Sequence, residues 1–211
     1  MKKEIFKYAI IILGFVYVNC SGQRVQFTKD NLKVVNRDIV AIDKEANSVA
    51  LNNKLGDGLA IIEDLKFDIG TIDIELKGED AQGRSFIGIA FNIQNDSTYE
   101  AVYFRPFNFR SQEKIRREHS VQYIHHPENG WRFLRTNFEG QYEAEFPRKP
   151  SPNDWFNIQI KIDEKKVYVY DMESNVELLV VERLTNQVTN KIALWTGHNS
   201  KGEFRNLKIL K

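Results

Sequence analysis

Cysteine is almost absent: Cys20 is the single one in 211 residues. No internal disulfide can form, and neither a cysteine-built zinc site nor a disulfide scaffold is available. There is no phosphate loop, no dinucleotide fingerprint and no Ser-His-Asp spacing, which sets aside the chemistries that depend on those motifs. Charge of one sign is missing too, because 30 Lys and Arg balance 29 Asp and Glu. A nucleic-acid binder usually gathers a basic excess on one face, so no nucleic-acid partner is expected. Beyond the N-terminus no stretch holds a long helical apolar period, and there is no repeat or low-complexity tract.

Aromatic and apolar residues are plentiful. Fourteen Phe and eight Tyr stand against two Met, and 42% of the chain is hydrophobic. That is enough to bury the core of one domain, in the ring-rich composition that sheets favour. The N-terminus is different. Lys2, Lys3 and Lys7 precede an apolar run from Tyr8 to Val18, the layout of a secretory signal and too short for a span of about 20 residues. Cys20 closes the run and resembles the acylated cysteine of the bacterial lipobox, although Tyr17 stands where Leu is favoured and Asn19 where Gly or Ala is. Residues 1–19 are therefore expected to be a signal peptide and residues 20–25 a lipid-anchored linker. The domain would be 26–211, held at a membrane in the periplasm or at the cell surface through an acyl anchor on Cys20.

The mature chain reads as strand after strand. Ile72, Ile74 and Leu76 alternate with Thr71, Asp73, Glu75 and Lys77, the period of a half-buried strand. Ser85 to Ile93 is apolar at nearly every position, as a central strand should be. In Tyr99 to Arg105, Val102 and Phe104 share one face and Ala101, Tyr103 and Arg105 the other. Further strands are expected at 48–52, 59–62, 120–125, 155–162, 165–171, 177–181, 191–196 and 204–210, separated by Gly, Asn and Asp turn signals. Residues 110–119 would form a helical turn or a loop, and 130–154 the long loop. About a dozen short strands without βαβ alternation predict an all-β, two-sheet antiparallel sandwich.

Two stretches carry a family resemblance: YEAVYFRPFNFR at Tyr99 to Arg110, and the C-terminal series Trp155-Phe156, KVYVY, KIALWTG and Gly202 to Ile209. They resemble concanavalin A-like lectin/glucanase domains, closest to the laminin-G-like branch and the related bacterial 3-keto-disaccharide hydrolase domain. The resemblance implies a jelly roll whose concave sheet presents a sugar or ligand site.

The ligand-binding candidates follow from chemistry. Sugars are held by aromatic faces with a few polar groups fixing the hydroxyls. Arg105, Phe107, Asn108 and Arg110 lie where a strand enters a loop, with His119, Gln122 and Tyr123 close in sequence. Trp131, beside Arg132 and Arg135, is the candidate exposed stacking platform, and His198 follows Trp195 into a loop. Trp155 and Trp195 are expected in the core. Alanine at Arg105 or Trp131 is expected to weaken sugar binding and leave stability nearly unchanged.

Hydrolysis normally needs two carboxyl groups flanking the bond. Thr71-Ile-Asp-Ile-Glu75 resembles the catalytic strand of family 16 glycoside hydrolases, with Thr71 where the nucleophile would stand. Glu100, Glu118, Glu128 and Asp154 are the other acid–base candidates, though Glu100 shares a face with the apolar Val102 and Phe104 and reads equally as a buried, paired carboxylate. His125 and His126 are adjacent, so on a strand they point to opposite faces and cannot share one metal ion. No cofactor is expected, and calcium enters only as a structural ion held by loop oxygens. The sequence thus predicts an exported glycan-binding lipoprotein, with a glycoside hydrolase of the 3-keto-disaccharide type or a protein-binding laminin-G-like module as alternatives.

Overall fold

The computed structural model describes residues 22–210. The expected signal peptide, linker residues 20–21 and the lipidation site at Cys20 lie outside the described residues. In chain order the strands are β1 (Gln23–Arg24), β2 (Leu32–Val35), β3 (Ile39–Asp43), β4 (Ser48–Leu51) and β5 (Gly58–Ile62). They continue with β6 (Gly70–Lys77), β7 (Ile87–Asn95), β8 (Thr98–Phe104), β9 (Val121–His126) and β10 (Glu143–Ala144). The last are β11 (Phe156–Ile162), β12 (Lys166–Asp171), β13 (Val176–Glu182), β14 (Ile192–Thr196) and β15 (Gly202–Leu210). Two short helices, α1 (Lys114–Arg117) and α2 (Trp131–Asn137), interrupt the β pattern. The second occupies part of the stretch expected to be a long loop. No described helix is long and apolar enough to cross a membrane.

The strands form two antiparallel sheets. The back sheet runs β13-β12-β11-β6-β15-β4-β3, with β1 paired to β15, and the front sheet runs β10-β9-β8-β7-β14-β5-β2. Their inner faces supply alternate residues to one core. Ile72, Ile74 and Leu76 come from β6, Ile87, Ile89 and Phe91 from β7, Val102 and Phe104 from β8, and Phe204, Leu207 and Ile209 from β15. β1 falls inside the expected 20–25 linker, where Gln23 pairs with Ile209.

Local chemistry explains several joins. The Asp163-Glu164 hairpin works although the dipeptide is unusual, because Asp163 Oδ1 accepts from the backbone N–H groups of Lys165 and Lys166 at 2.8 and 2.7 Å. Those two bonds hold the Asp163 carboxyl below its ordinary pKa. Asn92 adopts a left-handed φ of 51° inside β7, and the β7–β8 register shifts there. Past this bulge Ile93 joins the cluster on the outer face instead of the core.

The polar contents of the interior decide between the two readings of Glu100, in favour of the buried, paired carboxylate. Glu100 is fully buried between the sheets, not in a groove. Arg183 Nη2 lies 2.6 Å away, and Tyr123 Oη and Asn92 Nδ2 donate to its carboxylate at 2.6 and 2.7 Å. The strand that resembles a family 16 catalytic segment belongs to the back sheet. There Asp73 accepts from Gln159, and Glu75 is held by Arg205 and Asn206. The expectation that Trp155 is core is also corrected. It is half-buried, with the Arg205 guanidinium 4.3 Å above its ring. Trp195 is buried, but on the outer face of the front sheet.

Candidate functional site

The outer face of the front sheet carries a second apolar cluster, drawn from residues of β5, β7, β8, β9 and β14 and covered at one end by Leu134 of α2. Register sets its layout. Gln122, Tyr103, Gly88, Trp195 and Leu59 stand side by side across five strands, and the next row is Ile124, Ala101, Ala90, Ala193 and Ile61. Glycine and alanine at the centre leave space for large rings from either side. Tyr99 reaches Trp195, whose Nε1–H donates to Tyr99 Oη at 3.0 Å. Tyr99 Oη in turn donates to Asp57 Oδ2 at 3.1 Å, and the His126 ring stacks on Tyr99 at 5.3 Å. Phe86 packs edge-on against both Tyr103 and Phe107.

Above this floor lies a cleft of about 1210 Å³. Its aromatic lining is Phe86, Tyr103, Phe107, Trp131, Phe133 and Trp195, and its charged lining is Arg105, Arg116, Arg132, Arg135, Asp57 and Glu128, with His119, His126 and His198. One wall is α2. Trp131, 40% exposed, stands there with the Arg132 and Arg135 guanidinium groups 5.3 and 5.1 Å from its ring. Arg135 is fixed by a two-pronged pair with the buried Glu143 at 3.0 and 2.7 Å. His119 Nδ1 lies 2.8 Å from the same carboxylate. Burial lowers the His119 pKa, with Glu143 opposing.

At the other end, Arg37 pins the turns that carry Asp57 and His198. Its Nη2 donates to the carbonyls of Gly56, Thr196 and Gly197 at 2.9, 3.0 and 2.7 Å. The Gly56 N–H donates to His198 Nδ1 at 3.1 Å, so the proton of the neutral ring sits on Nε2. Burial pushes the Tyr103 hydroxyl up to about 12, keeping it a neutral hydrogen-bonding group.

The structure brings together Arg105, Phe107, Asn108, His119, Trp131 and His198 around the cleft. Gln122 is buried beneath them, with its Oε1 accepting from Arg105 at 3.2 Å. Tyr123 does not converge, because alternation turns it into the core toward Glu100. Arg110 is not a lining residue and donates instead to the Lys149 carbonyl. Sequence reasoning missed Tyr103, Trp195, Asp57, His126 and Phe86. The pairing of Tyr103 with Arg105 on one strand face was the available signal. Among the described residues, no group of three or more His, Cys, Asp or Glu side chains is placed to hold a metal ion.

This geometry defines a two-sheet β-sandwich with an aromatic-floored, arginine-walled cleft on one sheet. No family model and no curated protein sequence matches the chain. Solved structures do match in fold. The carbohydrate-binding module CBM66 from Bacillus subtilis superposes with a TM-score of 0.55 at 13% identity, covering 85% of this chain and 95% of that one. A Bacillus subtilis protein of unknown function with a galectin-like fold gives 0.55 at 11%, covering 90% and 98%. The Bacillus licheniformis β-glucanase gives 0.51 at 7%, covering 93% and 95%. The chain therefore has the concanavalin-like jelly-roll sandwich shared by carbohydrate-binding modules and glucanases.

Proposed function

We propose that the protein is a carbohydrate-binding domain, exported and tethered by a lipid on Cys20. The cleft carries this reading. Sugar recognition needs aromatic faces for the C–H surfaces and fixed polar groups for the hydroxyls, and the floor and walls supply both. Its volume exceeds the usual small-molecule span of about 300–1,000 Å³, which suits an oligosaccharide better than a single sugar. The basic N-terminus, the apolar run and the position of Cys20 support the export and anchoring part. Trp131 is the side chain to test. It sits exposed on α2, so alanine there should weaken glycan binding by about tenfold or more and leave the thermal midpoint within about 1 °C. A glycan array with no binding to any polysaccharide would count against the reading.

A second reading is a glycoside hydrolase, favoured by the two carboxylates Asp57 and Glu128 in the cleft lining. Turnover of a bound glycan that is abolished by Asp57→Asn or Glu128→Gln would establish it.

A further inference from the structure

Among the described residues, each half-buried arginine outside the cleft is paired with a carboxylate. Arg183 meets Glu100 at 2.6 Å, Arg148 meets Asp171 at 2.6 Å and Arg117 meets Glu145 at 2.9 Å. Arg205 pairs with Glu75. Arg37 has no carboxylate in contact but is enclosed by four backbone carbonyls and the Thr196 hydroxyl. Its work is to fasten turns.

Arg105 is different. It is 5% exposed at the base of the cleft. Its terminal nitrogens donate to the His119 carbonyl at 2.8 Å, Tyr103 Oη at 2.7 Å and Gln122 Oε1 at 3.2 Å, while Nε takes no part. Every one of these partners is neutral. Withdrawing a cation from water is costly unless an opposite charge meets it, and burial accordingly lowers the Arg105 pKa. The Arg135 charge adds to that lowering, and Tyr103 and Glu143 oppose it. Among the described residues Arg132 has no ion-pair partner, and it lies over the exposed Trp131 ring. The other two cleft arginines are taken, Arg135 by Glu143 and Arg116 by Glu113. Of the lining carboxylates, Asp57 faces His126 at 3.7 Å, and Glu128 faces His125 at 3.7 Å with its side chain 66% exposed.

We propose that the cleft takes an anionic glycan, whose carboxylate or sulfate group is drawn to the positive charge of Arg105 at its base and Arg132 on its α2 wall. This rests on the glycan-binding reading above and narrows it. Guanidinium groups pair carboxylate and sulfate oxygens through charge-assisted, often two-pronged bonds. A neutral sugar would leave the buried charge as it stands.

The full chain should be titrated calorimetrically with two matched pairs: polygalacturonate against its carboxyl-reduced form, and a sulfated galactan against its desulfated form. One charged polymer should bind about tenfold or more tightly than its neutral counterpart. That binding should weaken as salt rises from about 50 mM to about 500 mM. Which pair responds identifies the charged group. Arg132→Gln should erase about threefold or more of the preference with an unchanged thermal midpoint. Equal binding of charged and neutral partners, or binding of neutral polymers alone, overturns the anionic proposal and leaves glycan binding standing. Binding to neither class overturns the anionic proposal, and an empty glycan array would then overturn the glycan-binding reading beneath it.

Discussion

Tyr103 and Trp195 lie on β8 and β14, strands that do not pair with each other, yet their ring centroids are 4.8 Å apart. Gly88 of β7 stands between them, paired to each. With no side chain on the intervening strand, the two rings lean together across it and build a continuous aromatic floor.

Gly88→Ala should break this arrangement. A Cβ there would fall 2.0 Å from the Val102 carbonyl oxygen and 2.6 Å from Tyr103 Cα, both backbone atoms. Neither can give way as a side-chain end would, so a loss of about 2 kcal/mol or more is expected. Urea denaturation measures the loss, and Trp195 fluorescence should report a changed ring environment in whatever remains folded.

Arg105→Ala should behave unlike Trp131→Ala. The sequence suggests that both leave stability untouched, but Arg105 ties Tyr103, Gln122 and the His119 carbonyl into one network. Its removal strands those groups and should cost about 2 kcal/mol or more. Thermal melts of the two variants side by side should separate a buried strut from an exposed platform.

Glu100→Gln should be among the most damaging single changes in the interior. It removes the charge facing Arg183, whose side chain is only 3% exposed. Breaking a buried pair from one side typically costs about 3–5 kcal/mol. Glu100→Gln with Arg183→Met should recover part of the loss, because the stranded cation is then gone.

Asp171 sets an acid limit. Burial pushes its carboxyl up, but hydrogen bonds from Arg148 and Ser174 and the Arg148 charge outweigh that and leave its pKa below the ordinary value. The stability it contributes is therefore present above the unfolded carboxylate pKa of about 3.9 and lost as pH falls through the lower folded value. Asp171→Asn should be less stable at pH 7 and show a shallower stability loss below about pH 4. Chemical denaturation across pH 3–7 tests both.

The strands were legible because alternation of apolar and polar residues is a local property. It located β4, β5, β6, β8, β9, β11, β12, β13 and β14 closely. It failed for β2 and β3, which are short and lie at the ends of the two sheets. α2 was hidden because only Leu134 among its residues is buried, so no apolar stripe marks it. The site was half visible for the same reason. Alternation shows that Tyr103 and Arg105 share a face and that Gln122 and Tyr123 take opposite ones, but not which face looks outward. That depends on partners brought from far along the chain, such as Trp195 beside Gly88 and Asp57 beside Tyr99. The arginines too look alike in sequence, and only their surroundings separate a paired Arg183 from an unanswered Arg105.

β1 has a mechanical consequence. Gln23 and Arg24 are zipped onto β15 of the back sheet, while the cleft opens from the front sheet. A lipid on Cys20, as proposed, would be attached three positions before Gln23, at most about 10 Å away along the chain. The domain would ride close to its attachment point with little freedom to tumble, held by the layer behind the cleft. Its capture range would then be set by the reach of the polymer it meets and hardly at all by its own leash.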